Sequence, residues 1–313
     1  AGRWTFTQLF VNGERRPRPR LPESGYYRVA GIPEEALAGA KWGAGPDGFI
    51  YASDEIKGDW RNLADVRVVA LQLWFDAHHR IASVDAARQV VRFSARTVGG
   101  GFRDEKNQWC RYFVENVFET LQQPGEWYLD RPEGRLYYIP CPGETMANVE
   151  IIAPRLQEIA RFEGSGKGRV TDIRFENLGL HHTEWEYPPQ ESGSIQASYK
   201  VPGAVVFDRA ERCILYGCSV AHVAQYGVQV RRGSHDNGIV ACLLHDTGAG
   251  GVRVDHEWMN RIDETSNERF DAVDARSAAR GALRGRHLRQ AAPVAHQPPE
   301  LAVPHHRDAA VAA

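Results

Sequence analysis

The sequence predicts an all-β protein. A β-rich domain over residues 1–148 is followed by a truncated right-handed parallel β-helix over residues 149–269. Three observations carry this reading. The stretches "CSVAHVAQYGVQV" (218–230) and "CLLHDTGAGGVRV" (242–254) align without a gap, 24 residues apart. Cys218 then falls on Cys242, Val220 on Leu244, Gly227 on Gly251 and Val230 on Val254. From about Val149 onward, short β-branched runs alternate with Gly, Asn, Asp and Ser, and helical periodicity is scarce throughout. A self-match at this period among short strands marks a solenoid, whose coils stack because one coil cannot bury its own apolar face.

Taken in order, the N-terminal elements are hairpins and strands. Asn12-Gly13 stands between two extended runs, the strongest short hairpin signal. "VRVVALQLWF" and "QVVRFSA" are β-branched and partly alternating. "WCRYFVENVFETLQQPGEW" is the best helix candidate, a turn or two ended by Pro124-Gly125. Trp127 to Leu129 and Leu136 to Ile139 form the arms of a hairpin around Asp130–Gly134, and Pro140 and Pro142 stop the pairing. The coils follow. "IRFENLGLHHT" laid beneath "ILYGCSVAHVA" at a 41-residue interval gives the columns Asn177/Cys218/Cys242 and His181/His222/Asp246. The excess, "EWEYPPQESGSIQASYK", reads as an extra loop on the coil. Residues 271–313 are rich in Ala, Arg, Pro and His and contain no aromatic residue. Residues 270–313 are therefore expected to be an out-of-frame or disordered tail.

Composition narrows the function. With 38 basic and 40 acidic side chains, no global field favours nucleic acid or an anionic membrane. No apolar run is long enough for a transmembrane helix. The N-terminus lacks the charged and apolar regions of a signal peptide. The five cysteines are few, scattered and without a CxxC pair, so no disulfide framework is expected. "EGSGKGRV" lacks P-loop spacing, and no GxSxG, HExxH or EF-hand loop occurs. His181 and His182 are neighbours on a strand and point to opposite faces, so they do not ligate one metal together. No cofactor and no metal are expected.

"NVFETLQQPGEWYLDRPEGRLYYIPCPGE", "LFVNGERRPRPRLP" and "HDTGAGGVRV" together resemble bacterial parallel β-helix proteins of the glycoside hydrolase family 141 type. The resemblance covers roughly residues 5–269. It implies that the N-terminal domain is a β-rich insertion into the helix, and that the chain is a fragment of a secreted or periplasmic protein. It also implies a polysaccharide or oligosaccharide substrate of plant type, cleaved as by an α-L-fucosidase or xylanase. A polysaccharide lyase and a non-catalytic glycan-binding module remain the alternatives.

Asp246, in the Gly-rich turn "HDTGAGG", is the foremost candidate carboxylate, with His222 stacked beside it. In-register residues on adjacent coils lie about 4.8 Å apart, and residues two coils apart about twice that. Those distances bracket the carboxylate separations of retaining and inverting glycosidases. A β-helix face can thus place an acid and a base by stacking alone. The competing reading makes Asp246 and His222 turn residues that bond local backbone. Asp255 and Glu257 are candidate substrate-binding carboxylates, and Trp258 and Trp185 candidate sugar platforms. With the partner carboxylate expected near residue 270, where the pattern breaks, the chain as it stands is expected to lack glycosidase turnover.

Overall fold

The computed structural model describes residues 4–41, 43–166, 168–194, 196–231 and 233–255, together with the short strands Ala275–Ala278 and Val311–Ala312. The chain divides into two compact units. The first comprises residues 1–153 and 186–200, the second residues 154–185 and those from 201 onward.

The first unit holds strands β1 (Phe10–Val11), β2 (Glu14–Arg15), β3 (Arg20–Leu21), β4 (Tyr27–Arg28), β5 (Gly48–Ile50) and β6 (Arg67–Leu71). It continues with β7 (Asp76–Asp85), β8 (Val90–Phe93), β9 (Arg111–Glu115), β10 (Trp127–Asp130), β11 (Arg135–Tyr138) and β12 (Ile151–Ile152). A seven-stranded antiparallel sheet runs β3-β9-β6-β7-β8-β5, with β4 also on β9. Its inner face packs Phe49, Phe93, Phe102, Tyr112 and Trp60 into one core. The Asn12-Gly13 hairpin forms as expected, with both residues at positive φ (52° and 78°), the backbone that a two-residue turn between twisted strands needs. The β10–β11 hairpin also forms, Trp127 opposite Tyr138. Trp127 is 1% exposed and packs with Phe6, Leu9 and Val11.

Two expectations need correction. The best helix candidate is instead strand β9 followed by a single 3-10 turn, Phe118–Thr120. Tyr112 and Val114 alternate inward and β9 bonds to β6 along its whole length, so the period is two and tertiary pairing overrides local propensity. The run "VEIIAP" is not a coil. Its strand β12 pairs antiparallel with β1 in the first unit, so the units divide after residue 153 and not after 148.

The second unit is a parallel β-helix. Its strands are β13 (Ala160–Glu163), β14 (Val170–Thr171), β15 (Arg174–Glu176), β16 (Gly179–His181), β17 (Gly203–Asp208) and β18 (Ala210–Glu211). Then come β19 (Ile214–Tyr216), β20 (Ser219–Val223), β21 (Tyr226–Val230), β22 (Asn237–Val240), β23 (Leu243–Thr247) and β24 (Val252–Val254). Each coil passes through the same stacks in turn: β13-β17-β21-β24, β14-β18, β15-β19-β22 and β16-β20-β23. Phe162, Phe207, Leu215, Val220, Val228 and Leu244 fill the interior, with Phe162 stacked flat on Phe207 at 4.6 Å. The 24-residue match holds in the register: Val220 lies beside Leu244, Val228 beside Val252 and Val230 beside Val254. Cys218 and Cys242 are free thiols, 1% and 2% exposed, in adjacent coils of one column.

The lower interval is 40 residues, not 41. Leu180 pairs with Val220 and His181 with Ala221, so Leu178 and not Asn177 lies beneath Cys218. A one-residue slip in a strand would turn every inward side chain outward, and the apolar interior forbids it. The extra residues are not a loop of the coil, because residues 186–200 leave the helix and belong to the first unit. Left-handed backbone recurs at the corners in columns: Asp172, Arg212 and Asp236; Asn177, Gly217 and Ala241; His182, His222 and Asp246. At Gly217 a Cβ would fall 2.4 Å from Asn177 Oδ1, so a larger residue there would have to displace the Asn177 side chain. Backbone pairing extends past residue 269, where the sequence reading expected none. Ala275–Ala278 lies parallel to β22 and Val311–Ala312 antiparallel to β23.

Candidate active site

The stack β16-β20-β23 presents one outward face, and its C-terminal corner carries the candidate residues. The corner needs αL backbone, which Asn, Asp and His tolerate better than other non-glycine residues. The sequence supplies His182, His222 and Asp246 there, at φ 67°, 57° and 46°. Being in one column on successive coils, their side chains meet. His222 Nδ1 lies 2.8 Å from Asp246 Oδ2, and the ring of His222 stacks on that of His182 with centroids 5.0 Å apart. Gly248 makes the tight exit from this corner possible: a Cβ there would sit 2.1 Å from Ala224 O.

Two more imidazoles come from the strands themselves. His181 and His245 flank Ala221 in their own column. Their rings stand edge-on to His222 at 5.7 and 5.5 Å. His222 is thus the centre of a cluster of four imidazoles and one carboxylate. Ala221, although outward-facing, is wholly buried. His181 Nε2 is held 2.9 Å from Ser219 Oγ. Burial, and then the nearby imidazoles of His222 and His245, push the His181 pKa down. His222 and Asp246 keep side-chain exposures of 16% and 27%, so a ligand can reach them.

The other candidates fall as follows. Asp255 sits at the far end of β24, where it accepts bonds from Gln229 Nε2 at 3.1 and 3.2 Å and pairs with Arg253 at 2.8 Å. That carboxylate is engaged by side chains of the β21–β24 pair itself. Trp185 is half-buried and follows His182 by three residues. Glu257 and Trp258 lie outside the described residues. The sequence reading placed His181 in the column of His222, where the structure places His182. It also set His181 and His182 on opposite faces, whereas their rings lie 6.0 Å apart because His182 takes αL backbone at the corner. It also passed over His245. The signal for His182 was the apolar match of Phe175 to Leu215 and Leu180 to Val220, which demands the 40-residue interval. His245 follows Ala221 by 24 residues, so no repeated histidine pointed to it.

A cleft of about 310 Å³, its open mouth included, lies in the first unit, lined by Arg67, His78, Arg80, Glu186, Tyr187 and Glu191 among others. Its charges are matched from within: Glu186 pairs with Arg80 at 2.7 Å and with Arg67. Among the described residues, no group of three His, Cys, Asp or Glu side chains is placed to hold a metal ion, and no helix is long and apolar enough to cross a membrane.

The fold and site thus define a parallel β-helix with a histidine–carboxylate corner on one face. No family model matches the sequence, and no curated protein matches it. Among solved structures the chain is similar to a glycoside hydrolase, with a TM-score of 0.57 and 18% sequence identity. The match covers 80% of this chain and 58% of that one, so the chain spans less than two thirds of that protein's length. At this identity the likeness is one of fold.

Proposed function

We propose that this chain is part of a carbohydrate-active β-helix protein, a glycoside hydrolase acting on plant-type polysaccharide, with Asp246 as one of its paired carboxylates. The observation that carries the reading is the His222–Asp246 contact of 2.8 Å on the solvent side of adjacent coils. A glycosidase needs one carboxyl group as acid and another as nucleophile or base. A ring N–H of His222 donated to Asp246 Oδ2 holds that carboxylate in place. Asp246 therefore suits the nucleophile or base role, with His222 orienting it. The likeness in fold to a glycoside hydrolase supports the reading.

A second reading, a glycan-binding module without turnover, is favoured by the make-up of the corner, which sets one carboxylate among four imidazoles. The test is to assay this chain, and any longer natural form of it, on xylan and on aryl fucosides and xylosides. Asp246→Asn is expected to lower turnover by about 10²- to 10⁴-fold, the span of a lost acid–base group. Turnover that survives Asp246→Asn would remove Asp246 from the mechanism. Binding without turnover in every form would leave the module reading.

A further inference from the structure

We infer that the four-histidine face is a docking site for an anionic glycan, one bearing uronate carboxylates or sulfate esters, and that it grips this ligand in mildly acidic solution and releases it above neutrality. The inference rests on the glycan reading above and names the class of sugar.

The geometry supplies the argument. His181, His182, His222 and His245 lie within one patch, each of the other three rings 5.0 to 5.7 Å from that of His222. Imidazole is the side chain that changes charge between about pH 5 and pH 8. Four of them on one face make a surface whose charge depends on pH. The other groups there are few. β16 contributes Gly179 beside His181, with His182 at the corner and Glu184 two residues past it. β20 contributes Ser219 and Ala221 besides His222, and β23 contributes Leu243 and Asp246 besides His245, while Thr247 stacks on the inward Val223. With all imidazoles charged, four cations stand beside the carboxylate of Asp246, with Glu184 two residues beyond the His182 corner. With all imidazoles neutral, only the carboxylates remain and an anionic sugar is repelled.

Crowding strengthens the coupling. Protonating one ring disfavours protonation of the next: burial first, and then the charges of His222 and His245, lower the pKa of His181. An anion laid across the cluster relieves that repulsion, so binding and proton uptake reinforce each other. Exposure fits the role: His181 is exposed, and His222 and His245 are half-exposed. An imidazolium donates N–H bonds to carboxylate or sulfate oxygens, although His222 Nδ1 already meets Asp246 and His181 Nε2 meets Ser219.

The test is calorimetric titration of the full chain with oligogalacturonate, with a sulfated oligosaccharide and with a neutral xylo-oligosaccharide. Each is run at about pH 5.5 and at about pH 7.5, either side of the ordinary imidazole value. The expected result is binding of one or both anionic ligands at the lower pH, weaker by about tenfold or more at the higher, with net proton uptake. Preference for the first ligand or the second tells carboxylate from sulfate. The double variant His181→Gln, His245→Gln should lose the pH dependence while circular dichroism shows the β-helix retained. His245→Gln alone serves if the double variant does not fold. Anionic binding that ignores pH, or that survives the variant, overturns the inference. Equal binding of the neutral ligand overturns it and leaves the glycan reading standing. No binding of any of the three at either pH removes both.

Discussion

The imidazoles of His182 and His222 stack 5.0 Å apart at an interplanar angle of 15°, one coil upon the next. That contact exists because the interval between their coils is 40 residues, which also sets Leu180, Val220 and Leu244 in one inward column. Leu244 is fully buried while Leu243 is 43% exposed. Leu244→Ala should therefore cost about 2–5 kcal/mol of unfolding free energy, as for a buried leucine. Leu243→Ala should stay within about 0.5 kcal/mol. Urea titrations of both variants check this; comparable losses would mean that the strand faces the other way.

Thiol reactivity tests the interior of the β-helix. Cys110, Cys213, Cys218 and Cys242 are buried, whereas Cys141 is half-exposed. Burial pushes the Cys110 thiol up to about 12 and raises that of Cys242 as well, so neither offers a thiolate at neutral pH. An aromatic disulfide reagent at neutral pH should label Cys141 first in the folded chain. The other four should react only in denaturant. Rapid labelling of Cys218 or Cys242 would contradict the stacked, inward column.

Within the cluster, neighbouring charge is a measurable cause. His181 has a lowered pKa from burial first, and then from His222 and His245. Replacing His245 with Gln removes one of these like charges, so the His181 ring should titrate at higher pH than in the parent chain. Proton NMR of the ring resonances reads this directly. An unchanged or lower value would mean that His245 does not face His181 in solution.

How much of this was legible in the sequence depends on where the physics is local. The Asn12-Gly13 and Trp127–Tyr138 hairpins were legible, because turn chemistry acts over a few residues. The 24-residue stack was legible because the repeat is gapless. The lower coil was misread by one residue. Residue identity (Ile173 with Ile214, His181 with His222) favoured 41, whereas burial of Phe175 with Leu215 required 40. A histidine beside a histidine hid the slip, so the true column partner, His182, was passed over. Strand β9 was misread because its aromatic spacing suits either period and only its pairing with β6, far along the chain, decides. The pairing of Glu186 with Arg67 and Arg80 joins residues more than a hundred positions apart, and no short motif announces it.

The buried histidine of the first unit gives the clearest pH prediction. His79 lies on β7 with its side chain in the sheet's core, 1% exposed. Its ring stacks on Phe93 at 4.4 Å and lies 5.4 Å from Phe102. Burial in this aromatic pocket, aided by the charge of neighbouring His78, lowers its pKa to about 3, against a small opposing contribution from the Ala95 backbone. The folded chain therefore keeps His79 neutral down to about pH 3, while the unfolded chain protonates it near pH 6.5. Between those values the unfolded state binds more protons, so stability rises with pH across the window. The contribution is fully present above pH 6.5 and fades as pH falls toward 3, by up to about 1.4 kcal/mol per pH unit. Carboxylates also lose stability in acid, so the comparison must be made against a variant. His79→Leu keeps an apolar side chain of similar size among Phe93 and Phe102 and has nothing to titrate. Chemical denaturation at about pH 7 and about pH 4.5 should show a larger acid loss in the parent chain than in the variant. Equal losses in the two would mean that His79 reaches water or a charged partner, and that the pocket between Phe93 and Phe102 is not closed.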